Sequence, residues 1–331
     1  MINYQIYAVG AALVDTEVTV SEQFLKQNTI EKGVMTLVEQ SRQLKLLAAI
    51  ELSGAHQLRK SGGSACNSIV AAAEFGATTC FGGKVAEDND GELFIRDLNN
   101  AGVQYQGEKS QTAITGKCLV MVTDDAERTM NTYLGASEQF TESEIDRAVL
   151  VNSQWFYIEG YLLTDNARAK VVKQAVELAK QQGVKVALSL SDPFVAQIFA
   201  ENLRAIIGAG IDLIFCNKDE ALAFTETDTI EQAAEALKQY AKTFAITDGA
   251  NGAWVFDGQS NFTVPATPAN AIDTNGAGDM FAGAFLYGIT SGADYSAAAK
   301  LANLSAAKVV ERFGPRLESQ DFKQLMQAWH T

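Results

Sequence analysis

Histidine is almost absent: the 331 residues hold two, His56 and His330. A His-rich metal site or a two-histidine mechanism is thereby excluded, and a Ser–His–Asp triad would have to rest on His56. The four cysteines, Cys66, Cys80, Cys118 and Cys216, are widely spaced and form no C-x-x-C pair. That spacing leads us to expect reduced thiols in a cytosolic protein and no disulfide framework. Only four prolines occur, too few for a proline-rich linker. No run of about 20 apolar residues is present, and the first segment, Met1 to Tyr7, lacks a basic flank and a long apolar stretch. The expectation is a soluble cytoplasmic protein without a membrane partner. Basic residues are also scarce. Lys and Arg number 26 against 40 Asp and Glu, a net charge of −14 with no basic stripe. Such a surface repels nucleic acid. An anionic substrate would need local help from a metal ion, a helix N-terminus or a few placed cations.

What is present is an ordinary globular composition, 47% hydrophobic and 20% charged, long enough for one large domain or a large and a small one. Residues 5–10 form a buried strand ending at Gly10. Residues 13–20 alternate apolar and polar, the period of a half-exposed strand, and 34–38 suggest another. A helix is expected over 39–51. Gly62-Gly63 opens a small-residue helix, Ser64 to Phe75, closed by Gly76. Residues 116–123 and 128–134 make a hairpin turning at Asp124-Asp125. In the second half, strands at 155–158, 184–190, 211–216 and 243–247 alternate with helices. Asp165 or Thr164 caps one of them and Gly183 ends it; others begin near Lys218 and span about 230–242. This order implies an α/β fold with a mainly parallel sheet and helices on both faces. The exposed strands of the first half do not fit that sheet and suggest a small β-sheet lid.

The strongest chemical signal is Asp273-Thr274-Asn275-Gly276-Ala277-Gly278-Asp279, followed by the small and apolar run Met280 to Leu286. A glycine-rich turn feeding a helix leaves several N–H groups converging on one place, with the helix dipole behind them. That is an anion hole suited to a phosphate in transfer. Asp279 in the first turn would repel a static phosphate. It makes sense as a base that takes a proton from an attacking hydroxyl. Read alone, the segment also fits an ordinary helix start. A Walker A loop is ruled out: the Gly-Lys pairs 83–84 and 116–117 are followed by Val85 and Cys118 and lack the earlier glycine. A dinucleotide fingerprint fails at Phe281. The second signal is Gly62-Gly63-Ser64-Ala65-Cys66-Asn67. Its glycines admit a ligand to the backbone, and Asn67 offers donor and acceptor to hydroxyls. A plain glycine turn before a packed helix fits it as well.

An early glycine pair with asparagine and a late D-T-x-G-A-G-D, about 200 residues apart, resemble the ribokinase-like (PfkB) kinases of sugars and nucleosides. Gly10 and Asp15 stand at the family's first strand and substrate-hydroxyl aspartate. Gly82-Gly83, Asp88 and Gly91 resemble its early signature, Asn217-Lys218-Asp219-Glu220 its N-x-x-E motif, and Thr247-Asp248-Gly249-Ala250-Asn251-Gly252 its nucleotide-phosphate turn. Two positions and one segment depart from the pattern. Ala11 stands where many members have asparagine, Ala86 replaces a glycine, and Gly314-Pro315-Arg316 keeps only part of the C-terminal loop. Within the family the chain resembles the adenosine kinase group. It has a long insert from Val18 to Leu58, the segment Leu188 to Phe194, the Asn275-Gly276 form of the late motif, and Arg128 where that group carries a lid arginine.

The resemblance implies a ribokinase-like three-layer domain over 1–331, with a lid formed by inserted strands at about 13–38 and 113–135. It implies ATP-dependent transfer of the γ-phosphoryl group to the 5′-hydroxyl of an adenosine-like nucleoside. The alternative is a free sugar such as ribose or fructose. Asp279 would be the base, with the N–H groups of Gly276, Ala277 and Gly278 as the anion hole. Asp15, Gly63, Asn67, Asn275, Arg128 and Tyr161 would bind the acceptor; Tyr161, Leu134 and Met35 are also candidates for an apolar wall or for plain packing. Asn217, Thr247, Gly249, Gly252 and Asn303 would bind the nucleotide. Glu220 and Asn217 would act on Mg²⁺ through water. Asp273 would serve a monovalent cation, K⁺. Arg128 has a plainer reading too, as a surface residue paired with Glu127 or Asp125. The lid strands allow a homodimer; adenosine kinases are often monomers.

Overall fold

Strands of continuous apolar sequence, such as Trp155 to Ile158 and Leu213 to Cys216, can be buried only when both sheet faces are covered. The computed structural model, which describes residues 4–125, 127–208 and 211–329, has them at the centre of a nine-stranded sheet. From edge to edge its strands are Asn261–Val264, Ala253–Phe256, Ala241–Thr247, Ile211–Asn217, Lys185–Ser189, Ser153–Glu159, Tyr4–Val9, Thr79–Gly82 and Val103–Gln106. Ala253–Phe256 pairs antiparallel with both its neighbours, and the seven strands from Ala241–Thr247 onward pair parallel. One core, around Tyr157, Phe215, Phe281 and Phe285, fills one face. A second, around Phe156, Phe224 and Phe244, fills the other. This is the ribokinase-like α/β fold. His330 lies outside the described residues.

Local signals place most boundaries. Asp165 accepts from the N–H groups of Ala167 and Arg168 and caps the helix Asn166–Gln181; Gly183, at φ +74, ends it. Helices Ser64–Glu74 and Ala277–Thr290 press together so closely that a Cβ at Gly283 would lie 2.2 Å from the Ser68 carbonyl. One helix boundary is corrected and one strand pair is added. The helix expected over 230–242 is Ile230–Leu237, and the next strand already begins at Ala241. The antiparallel pair Ala253–Phe256 and Asn261–Val264, turning through Asp257-Gly258, was not anticipated.

A separate five-stranded sheet has the order Met35–Leu37, Arg128–Tyr133, Gly116–Val122, Leu13–Thr19, Gln57–Gly62. Gln57–Gly62 lies outside the spans expected for it. Leu13–Thr19, expected to be half-exposed, is buried over all but its last residue. Helix Gln40–Ser53 covers one face, packing Leu46 and Ile50 on Val18, Leu119 and Met121. The opposite face, with Leu13, Cys118 and Val120, looks into the cleft between the two sheets.

Candidate active site

The cleft holds two adjoining cavities. The first is lined by Asp15, Gly63, Asn67, Arg128, Tyr161, Asn217, Glu220 and Asp279, with apolar side chains from the small sheet. The second is lined by Thr247, Gly249, Gly252, Phe281 and Asn303. Thr274, Ala277 and Gly278 line both, so the glycine turn is a shared wall. Asp273 is fully buried behind that turn. It accepts from the N–H groups of Asn275 (2.8 Å) and Gly314 (2.9 Å) and thereby fixes the loop.

The turn is shaped by its glycines. Gly276 has φ +74 and is packed on Pro315, so it tolerates no side chain. A Cβ on Gly278, by contrast, would meet no atom within 4 Å, because Gly278 opens into the cavities. The N–H of Ala277 reaches back to the Thr274 carbonyl at 3.3 Å, so of the three expected donors it is the one already engaged. The N–H groups of Gly276, Gly278 and Asp279 have no acceptor among the described residues.

Asp279 is held by helix Ser64–Glu74. Ser64 Oγ donates to one carboxylate oxygen at 2.7 Å and Asn67 Nδ2 to the other at 3.1 Å. Burial raises its pKa above the ordinary range, against the pull of those hydrogen bonds and of Arg128 and Arg316. Asp15, on the small sheet, is buried, and no hydrogen-bond donor reaches its carboxylate among the described residues. Burial first, then the Glu17 charge, pushes it up to about 8. A buried carboxylate with free acceptor capacity suits the hydroxyls of a ligand.

Arg128 is not paired with Asp125, which bonds Lys32 at 2.6 Å. Its guanidinium donates to Asn275 Oδ1 (3.1 Å) and the Thr274 carbonyl (3.4 Å). Asn217 and Glu220 form a reciprocal capping box at the start of helix Lys218–Thr225. Burial, with Asp192 and Asp279 nearby, pushes Glu220 up to about 8. Asn303 spends its amide N–H groups on the carbonyls of Val264 and Pro265, stapling the loop beside the second cavity.

Four further side chains shape the site. Ser64 holds Asp279 as described. Glu159, fully buried, accepts from the N–H groups of Ala11 (2.6 Å) and Ala65 (2.8 Å). Glu17 accepts from Asn275 Nδ2 at 3.1 Å. Arg316 bonds Asn67. A charged residue ending the apolar strand Trp155–Ile158 was a usable signal for Glu159. Glu17 shares the register of Asp15. Arg316 stood in the noted C-terminal segment Gly314-Pro315-Arg316, which pointed to no role for its side chain.

A family model described as pfkB family carbohydrate kinase matches residues 34–321. The chain belongs to this family. Its members are phosphotransferases acting on hydroxyl groups, and so is this chain. Among solved structures, the adenosine kinase of Sinorhizobium meliloti is similar at 34% identity, covering 98% of this chain and 99% of that one, with a TM-score of 0.89. A probable sugar kinase of Rhizobium etli is similar at 32% identity, covering 99% of each chain, also with a TM-score of 0.89. The adenosine kinase of Saccharomyces cerevisiae is 26% identical, over 95% of this chain and 97% of its own length. Kinases of the pfkB family use ATP, typically with Mg²⁺.

Proposed function

We propose that this pfkB kinase transfers the γ-phosphoryl group of ATP to the 5′-hydroxyl of an adenosine-like nucleoside. The observation that carries the reading is the apolar face of the first cavity. Leu13, Met35, Val120, Met130 and Leu134 of the small sheet and its border line it together with Tyr161, beside the polar groups Asp15 and Asn67. A nucleoside base covers such a wall; a free sugar leaves it wet. The adenosine kinases among the relatives support the same choice.

In this mechanism the acceptor lies in the first cavity and the nucleotide in the second. Asp15, Gly63 and Asn67 hold the sugar hydroxyls. Asp279 takes the proton of the attacking hydroxyl, and the turn N–H groups with Arg128 receive the charge that develops on the phosphoryl oxygens. The small sheet acts as a lid that excludes water. Thr247, Gly249, Gly252 and Asn303 border the nucleotide. Among the described residues no three His, Cys, Asp or Glu side chains gather as a ready metal site. Glu220 and Asp192 nevertheless face the first cavity, and their mutual repulsion fits a divalent cation held through water. Mg²⁺ bound there would neutralise phosphate charge. Glu17 Oε2, buried without a partner beside Gly314 and close to Asp273, fits a monovalent cation such as K⁺. In this reading the enzyme works in the cytoplasm, as a monomer or homodimer.

The test is an ATP-consumption screen against nucleosides and free pentoses and hexoses. Adenosine-like nucleosides should give the highest kcat/KM. A clear preference for a free sugar would replace this reading with the sugar kinase one.

A further inference from the structure

Arg316 sits in the loop before helix Ser319–Trp329 with only 9% of its surface exposed. Its guanidinium is fully directed. Nε donates to Asn67 Oδ1 at 3.0 Å, Nη1 to Ser61 Oγ at 2.9 Å and Asp97 Oδ2 at 3.1 Å, and Nη2 to Cys66 Sγ at 3.2 Å. Asp97 is held in turn by the Ser61 N–H (2.9 Å) and hydroxyl (2.5 Å).

The other end of the Asn67 amide faces Asp279. An amide has one accepting and one donating end, and a half-turn exchanges them. The flipped form would put the Asn67 oxygen against the Asp279 carboxylate. A guanidinium can only donate, so Arg316 accepts one orientation and rejects the other. A lysine would supply charge without the planar fork that meets Asn67, Ser61 and Asp97 at once.

We propose that Arg316 is a positioning residue for phosphoryl transfer: it fixes the Asn67 amide so that Nδ2 aims at Asp279 and holds that carboxylate where it takes the acceptor's proton. The proposal rests on the reading of Asp279 as the base. Arg316 touches no cavity wall itself and acts through Asn67.

The test uses the full chain with Arg316→Ala and Arg316→Lys, each in the wild-type and Asp279→Asn backgrounds. Thermal melting, kcat across pH and kcat with added methylguanidinium are measured. In the wild-type background kcat should fall about 10–10²-fold, the scale of a small misplacement of a reacting group. The acid limb of kcat should move to higher pH, because a cation and an aligned donor near Asp279 are lost. Methylguanidinium should restore part of the loss in Arg316→Ala. In the Asp279→Asn background the further loss should stay within about twofold, since the two residues act as a unit. Arg316→Lys, which keeps a charge beside Asp97, serves if the alanine variant does not fold. A folded variant with unchanged kcat and acid limb overturns the proposal, as does an equal loss in both backgrounds. If Asp279→Asn alone keeps wild-type turnover, the base reading falls and this inference with it. If only the Arg316 variants keep it, the base reading stands and Arg316 is structural.

Discussion

Arg128 and Asn275 are hydrogen-bonded at 3.1 Å, and the bond joins the small sheet to the turn that starts helix Ala277–Thr290. Asn275 returns a bond to the same sheet through Glu17. The guanidinium thus waits at the edge of the anion hole, where its planar fork can transfer from a carbonyl and an amide to phosphate oxygens. Arg128→Ala should lower kcat by about 10–10³-fold, less than the loss of an arginine finger in a GTPase. Acceptor affinity in the absence of nucleotide should change little. Steady-state kinetics with both substrates varied decides this, and an unchanged kcat would remove Arg128 from the phosphate path.

Asp279→Asn should keep the fold and acceptor binding, because Ser64 and Asn67 still find hydrogen-bonding partners on the amide. Turnover should drop by about 10²–10⁴-fold, the range for a lost general base. Calorimetric binding of the acceptor beside single-turnover rates separates the two effects. Near-normal rates would show that another group accepts the proton.

The two glycines of the turn should fail differently. Gly276→Ala places a side chain at positive φ and against Pro315, so melting temperature falls. The backbone alone costs about 1–2 kcal/mol. Gly278→Ala meets no protein atom. It should melt near wild type and still lose most activity, because the methyl occupies space meant for a ligand. A Gly278→Ala enzyme of full activity would mean that the phosphoryl group passes elsewhere.

Legibility in the sequence followed the range of the interactions. The alternation of strands and helices in the second half is written in local periodicity and caps, as at Asp165 and Gly183, and so was readable. The pairing of Asp15 with Glu17 was visible as a polar register, but its burial was not. Burial comes from the neighbouring strand at Gly62, which abuts Asp15, and from the 273–275 loop and Gly314 against Glu17, all remote in sequence. Gln57–Gly62 was missed because its sequence, Gln-Leu-Arg-Lys-Ser-Gly, looks like an exposed loop; its partner strand makes it a strand. The glycine turn and the helix start carrying Asp279 were legible because such a turn needs glycine at particular steps, as at Gly276 with φ +74. Arg316 was illegible because its meaning lies entirely in contacts across some 250 residues of chain.

Stability should carry the mark of the buried carboxylates. Asp15 and Glu220 are pushed up to about 8, Glu17 and Glu159 to about 7, in each case chiefly by burial. Between their unfolded values near 4 and these folded ones, the native state binds more protons than the unfolded chain. Their contribution is therefore full below about pH 4 and is lost as pH rises to about 8. For the ligand-free protein, the denaturant midpoint should decline from pH 5 to pH 8.5, and Asp15→Asn should flatten that decline. A midpoint rising over this range, unaltered by Asp15→Asn, would contradict the burial argument.

Glu220→Gln should raise the Mg²⁺ concentration needed for half-maximal rate more than it alters the KM of the acceptor. In the proposed reading the acceptor is held by Asp15 and Asn67, on other elements of the same cavity, while the charge acting on Glu220 is that of Asp192. A magnesium titration superimposable on wild type, with a changed acceptor KM, would reassign Glu220 to the acceptor.

The close approach of Gly283 to the Ser68 carbonyl leaves no room for a side chain between helices Ser64–Glu74 and Ala277–Thr290. Ser64, Asn67 and Asp279 therefore sit on one closely packed helix pair, while Leu13, Val120 and Met130 belong to a different layer. Inheritance can act on the two separately. In the proposed reading, changes of side-chain size on the sheet would retune which molecule is accepted and leave the reacting groups in place. Drift at the helix pair has no such latitude: one added methyl at Gly283 would disturb the chemistry for every acceptor at once.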